Sequence, residues 1–244
     1  MYTKELFSTL LIILSTVNGD NRSVCDLRDK IELNCCCNKL NATSVSIDCD
    51  VSDTVSEITP ATWLLFRNIK ENITEFYLRG NIMVITVSMM EFFNQLTELR
   101  TIQFLNTKIT KIPENTFSKQ KKISELFLSF NRIDVINANT VSALPLLKIL
   151  SLSNNNVKTI SVNAFIQLPQ LLELHLHSNK LTVLPAHIFD ELKNLKILTL
   201  HNNLLVKFER EILLPIIMNF YHPDSGFWLQ GELVYIFLKC FRLD

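Results

Sequence analysis

Three groups of side chains in this 244-residue chain have the type and spacing to do chemistry: clustered cysteines, spaced histidines and sequon asparagines. Cys25, Cys35, Cys36, Cys37 and Cys49 fall within 25 residues, and Cys240 stands far from them. Clustered thiols either close into bridges or ligate a metal. Adjacent thiolates suit zinc, but no C-x-x-C pair occurs, and in an exported chain oxidation to disulfides is the expected fate. His175 and His177 are two apart, and His201 follows His177 by 24 residues. Three imidazoles within reach of one another take a metal or respond to mild acid. No carboxylate or cysteine is expected beside them to complete a ligand set, so no metal is assigned. Asn21, Asn41 and Asn72 open N-x-[ST] sequons and read as glycosylation acceptors on an exported chain. The material for catalysis is missing. No G-x-S-x-G elbow, H-E-x-x-H or paired-carboxylate motif occurs, and the four glycines form no phosphate-cradling loop. These absences argue against an enzyme, and no cofactor is called for.

Charge and the chain ends bound the setting. With 24 Lys+Arg against 24 Asp+Glu, the chain offers no bulk charge to draw it to nucleic acid. Residues 1–19 place Lys4 before the short apolar stretch Leu6 to Leu14 and small residues up to Gly19, the pattern of a secretory signal peptide. That stretch is about half of the ~20 residues that a bilayer span requires. In the tail the apolar run Leu233 to Leu238 is six residues, bounded by Glu232 and Lys239, so no transmembrane segment is expected.

The elements that must position these groups follow from self-comparison. One apolar frame starts at Ile73, Leu99, Ile123, Leu147, Leu171 and Leu195, at spacings of 26 and then 24 residues. The frame reads L-x-x-L-x-L-x-x-N-x-L, as in Leu147, Leu150, Leu152, Asn155 and Val157. Farther along, Ile112, Ile136, Ile160, Leu184 and Phe208 recur, followed by Phe117, Val141, Phe165, Phe189 and Leu213. The x-L-x-L core predicts a short strand with Leu side chains inward, and the later apolar residues line a second wall. A coil of this kind cannot bury its apolar face alone, so neighbouring coils must stack into one elongated core. The polar frame position, held by Asn81, Thr107, Asn131, Asn155, Asn179 and Asn203, falls where the chain leaves the strand. A buried amide there can bond backbone groups that lose their ladder partners.

This frame resembles the extracellular leucine-rich repeat family in its 24-residue typical form, over about 146 of the 244 residues. The resemblance implies an α/β solenoid, a curved horseshoe with a parallel β-sheet on its concave face and a mostly irregular convex side. Similar family members include Toll-type, Slit-like and chaoptin-like ectodomains, nearly all of which bind proteins. Cys25, Cys35, Cys37 and Cys49 resemble the family's amino-terminal flanking cap, whose implied bridges are Cys25–Cys37 and Cys35–Cys49. Cys36 falls outside that pattern and is open to swapping into a bridge, pairing with Cys240 or linking two chains. The usual carboxyl-terminal cap is absent. The segment after the sixth unit is either an unusual helix or strand covering the last coil, or a truncated end. The resulting organisation is a signal peptide (1–19), a cysteine-rich cap with the first coil (20–72), six repeats (73–218) and an atypical segment (219–244).

Outward positions fall two, four, six and seven residues after each start. In the early units they present Tyr77, Arg79, Leu105, Phe127 and Phe130, with Arg132 beside them, a composition suited to a protein-binding patch. In the fifth and sixth units the same face carries His175, His177 and His201. The expected function is a secreted or cell-surface module that binds an extracellular protein on this face. A matrix or adhesion role through self-association, and an innate-immune recognition role, are the alternatives.

Overall fold

The computed structural model describes residues 33–40, 44–51, 72–80, 82, 84–206, 209–217, 219 and 226–228. The signal-peptide segment, Cys25, Asn21, Asn41, Asn81, Phe208 and Cys240 lie outside the described residues.

The repeated frame folds into a solenoid. Strands β1 (Leu33–Lys39) and β2 (Val45–Val51) form an antiparallel pair. From β2 onward the sheet is parallel: β3 (Ile73–Gly80), β4 (Thr101–Leu105), β5 (Glu125–Phe127), β7 (Ile149–Ser151), β9 (Glu173–His175), β10 (Ile197–Thr199) and β11 (Gly226–Trp228). The other side of the coils is mostly irregular. It holds the two-residue strands β6 (Val135–Ile136) and β8 (Thr159–Ile160), helix α1 (Val87–Phe93), which Thr86 caps, and the short α2 (Arg210–Leu213). The sheet does not stop at the sixth repeat. β11 pairs in parallel with β10, so residues beyond 218 extend the sheet by a further strand.

Inward positions of the sheet strands from β3 to β10 are closed to solvent: Phe76 and Leu78, Ile102 and Phe104, Leu126 and Leu128, and so on through Leu198 and Leu200. The second wall, Ile112 to Leu184 and Phe117 to Leu213, is buried against them. A third buried row, Leu96, Leu144, Leu168, Leu192 and Ile216, completes the core, with Gln120 in its second place. The first coils use Phe where later coils use Leu, and Phe76, Phe92, Phe93, Phe104 and Phe117 run ring to ring at centroid distances of 5.2–6.4 Å. At the amino-terminal end, a Cys35–Cys49 disulfide joins residues directly opposite one another on β1 and β2. Cys37 is disulfide-bonded too, while Cys36 is exposed on the same strand.

Asn155 shows how one coil is tied to the next. Its Oδ1 accepts the Ile133 N–H (3.0 Å), and its Nδ2 donates to the carbonyls of Leu128 (2.9 Å), Leu152 (3.1 Å) and Ser153 (3.2 Å). Asn131, Asn179 and Asn203 repeat the pattern. Each amide therefore serves its own coil and the preceding one, rather than both neighbours. Thr107 has no amide to offer, and its hydroxyl donates to Asn131 Oδ1 at 2.7 Å. The residue before each of these turns left-handed: Asn106, Phe130, Asn154, Ser178 and Asn202 have φ of 54–57°.

Replacing Asn155 by Ala strands one N–H and up to three carbonyls in the interior. Unfolding in urea is expected to show a loss of about 2–4 kcal/mol, against less than about 0.5 kcal/mol for exposed Lys158→Ala. Equal small losses in both would remove the ladder from the account of stability.

Candidate binding face

Because the strands pair in parallel without slipping after β3, outward side chains fall into straight lanes across the sheet. One lane reads Glu75, Thr101, Glu125, Ile149, Glu173, Ile197, and the next Asp48, Tyr77, Gln103, Phe127, Ser151, His175, Thr199. Cross-coil bonds carry the pairing two or three residues past the assigned strands, as in Phe130 N–H to the Ser153 carbonyl (3.2 Å) and Ser178 N–H to the His201 carbonyl (2.9 Å). The lanes thus reach Ser129, Ser153, His177 and His201.

At the amino-terminal end, Tyr77 is half-buried and its hydroxyl donates to Glu75 at 2.9 Å. Burial first, and then the Glu75 carboxylate, push the Tyr77 phenol up to about 12. Arg79 is exposed but committed. It pairs with Asp48 at 2.5 Å and Asp50 at 3.2 Å, and the Asp48 charge is the main cause of its raised pKa. Leu105 and Phe127 are half-buried on adjacent strands. Phe130 is 56 % exposed, yet it occupies a left-handed corner (φ 57°) that other coils fill with Asn or Ser. A bulky residue there is strained. Arg132 is exposed past Asn131, at the corner where its N–H bonds the Ile109 carbonyl, and so lies off the strand lanes. Asn72 is exposed at the entry to β3.

Between Phe127 and the histidines lies a floor of small hydroxyls. Ser129, Ser151 and Ser153 are buried and bond one another at 2.7–3.2 Å, so none is left unsatisfied. Beyond it, His177 stacks on His201 with centroids 4.6 Å apart and planes 8° from parallel, and meets His175 edge-on at 6.2 Å. His177 Nδ1 lies 2.9 Å from the Thr199 hydroxyl, which is 3.4 Å from His175 Nδ1. A carboxylate does stand beside this group, contrary to the expectation from sequence: Glu173 Oε2 is 3.2 Å from His175 Nε2. It lies two residues before His175 on the same face, a place the repeat frame itself marks as outward. Among the described residues, no group of three or more His, Cys, Asp or Glu side chains is arranged to hold a metal. Asp48 and Asp50 were not singled out from sequence, although applying the alternation to Val45–Val51 would have turned both outward.

Comparison with known families fits this architecture. A leucine rich repeat model matches residues 121–181 and 169–213, and a model of the BspA type leucine rich repeat region, of six copies, matches residues 29–137. No curated protein matches the chain. No helix among the described residues is long and apolar enough to cross a membrane.

The histidines give the face a pH response. Burial first, then the imidazoles of His201 and His175, hold His177 below the ordinary histidine value. Below about pH 6.5 the unfolded chain takes up a proton that the folded His177 resists, so stability declines with acid until His177 itself titrates. Urea midpoints from about pH 7.5 to 5 should fall less steeply in His177→Gln than in the native protein. Superimposable profiles would mean that the stacked pair does not carry this response.

Proposed function

Since the chain belongs to the leucine-rich repeat family, whose domains generally mediate protein–protein interaction, we propose that it is an extracellular protein-binding module, secreted or held at the cell surface, that captures its partner on the concave sheet face. Phe130 carries this reading. The fold gains nothing from a large aromatic in a left-handed corner, where Asn is accommodated at less cost, yet the ring is presented to solvent beside an open sheet. Exposed aromatics near half-buried ones are the usual anchors of protein interfaces. The sheet face is long, registered and open, which suits an extended macromolecular contact better than a small substrate. The Cys35–Cys49 bridge and the exposed Asn72 sequon support an oxidising, exported setting.

Two substitutions separate binding from folding. Phe130→Asn should raise stability by roughly 0.5–1 kcal/mol, and Phe127→Ser should leave the thermal midpoint nearly unchanged. Peptides selected from a random displayed library on the native protein should bind both variants about tenfold or more weakly. Selected peptides that bind both variants as well as the native protein would place the interaction elsewhere and defeat this reading.

A further inference from the structure

The chain as a whole is balanced, with 24 cationic and 24 anionic side chains, but its sheet face is not. Outward positions of β2 to β10 carry five carboxylates, Asp48, Asp50, Glu75, Glu125 and Glu173, against one cation, Arg79. Arg79 is spent on Asp48 and Asp50. Among the described residues Glu75, Glu125 and Glu173 have no Lys or Arg partner and meet Tyr77 (2.9 Å), Thr101 (3.5 Å) and His175 (3.2 Å). Off the face, by contrast, Glu98 is paired with Lys122 at 2.5 Å. Asp48 Oδ1 and His201 Nδ1, near opposite ends of the face, are shielded from solvent and have no hydrogen-bond partner among the described residues.

The three glutamates share one lane and occupy alternate strands, with Thr101 and Ile149 between them. At a strand spacing of about 4.8 Å they repeat every ~10 Å. That is close to the ~9.3 Å between residues three apart in a polyproline II segment, whose three-fold helix puts them on one face. On the two intervening strands the residue just before the lane is basic, Arg100 and Lys148, as is Lys196 on the strand beyond Glu173, and all three are exposed. A cation placed out of step would approach these, so the rim adds repulsion to the selection of spacing. The neighbouring lane supplies Tyr77 and Phe127, on which the stems of long cationic side chains can lie.

We infer that the partner is a protein that lays a basic polyproline II segment across the strands, with Lys or Arg at every third residue facing Glu75, Glu125 and Glu173. This rests on the concave-face reading above and names the chemistry of its partner.

A labelled peptide of repeated Lys-Pro-Pro triplets tests the inference against an isomer with its lysines contiguous, by fluorescence anisotropy on the full chain. The spaced peptide should bind about tenfold more tightly than the isomer and lose about tenfold with Glu125→Gln. Glu98→Gln, off the face, should leave it unchanged. Equal binding of the two peptides, or indifference to Glu125→Gln, overturns the inference. The displayed library distinguishes the two levels. Selected peptides that need Phe127 and Phe130 but lack spaced cations would sink the charge inference and leave the concave-face reading standing. Peptides that ignore both rings would end that reading itself.

Discussion

A backbone that coils once every 24 residues must bury the corner where it leaves the sheet, and there its N–H groups point at no strand. The Ile109, Ile133, Val157 and Leu181 amides each find a side-chain Oδ1 of the next coil, at 3.0–3.3 Å. An asparagine suits this place because one short side chain offers an acceptor and two donors at fixed angles. Its donors bond a carbonyl of the preceding coil and one of its own, as Asn179 does to Leu152 and Leu176. The bond therefore sets the register between coils as well as satisfying the corner. An unpaired buried amide would cost free energy at every turn of the solenoid.

Register at the corner is what turns outward side chains into lanes. Inward positions are held to Leu, Ile and Phe by close packing, so variation between coils is confined to the other face. There the coils differ: Arg79 paired with Asp48 and Asp50 at one end, aromatic rings and a buried serine floor in the middle, stacked imidazoles at the other, and a lane of spaced glutamates running through all three. Phe130 marks the same division of labour in one residue, since the left-handed corner is a demand of the fold and the exposed ring is not. The scaffold is repetitive and the face is particular, which places specificity in side chains the fold does not require.

Much of this was legible in the sequence for a physical reason. A residue repeated at a fixed interval meets the same surroundings in each coil, so Leu150 and Leu174 report one buried site and Asn155 and Asn179 one corner. The Cys35–Cys49 bridge followed from resemblance rather than from spacing. Pairings within the face did not follow, because the frame sets which way a side chain points and not which neighbour it chooses. Arg79 looked available for a partner but is held by Asp48 and Asp50 on β2, a strand whose spacing to β3 departs from the repeat. Glu173 beside His175 was overlooked although the alternation exposes it. β11 has no counterpart in the apolar frame, and its parallel pairing with β10 arises only once the chain is folded.

The claim on which the rest stands is that asparagine side chains, not water, satisfy the corner amides. Amide hydrogen exchange of the native protein tests it at the Ile133, Val157 and Leu181 N–H groups, which lie outside the sheet yet bond to asparagine Oδ1 atoms. Protection comparable to that of Leu126, Leu150 and Leu174 within the strands is the predicted result. Exchange at the rate of an open loop would show that the corners are wet, that the coils are not locked in register, and that the lanes on the face are not fixed.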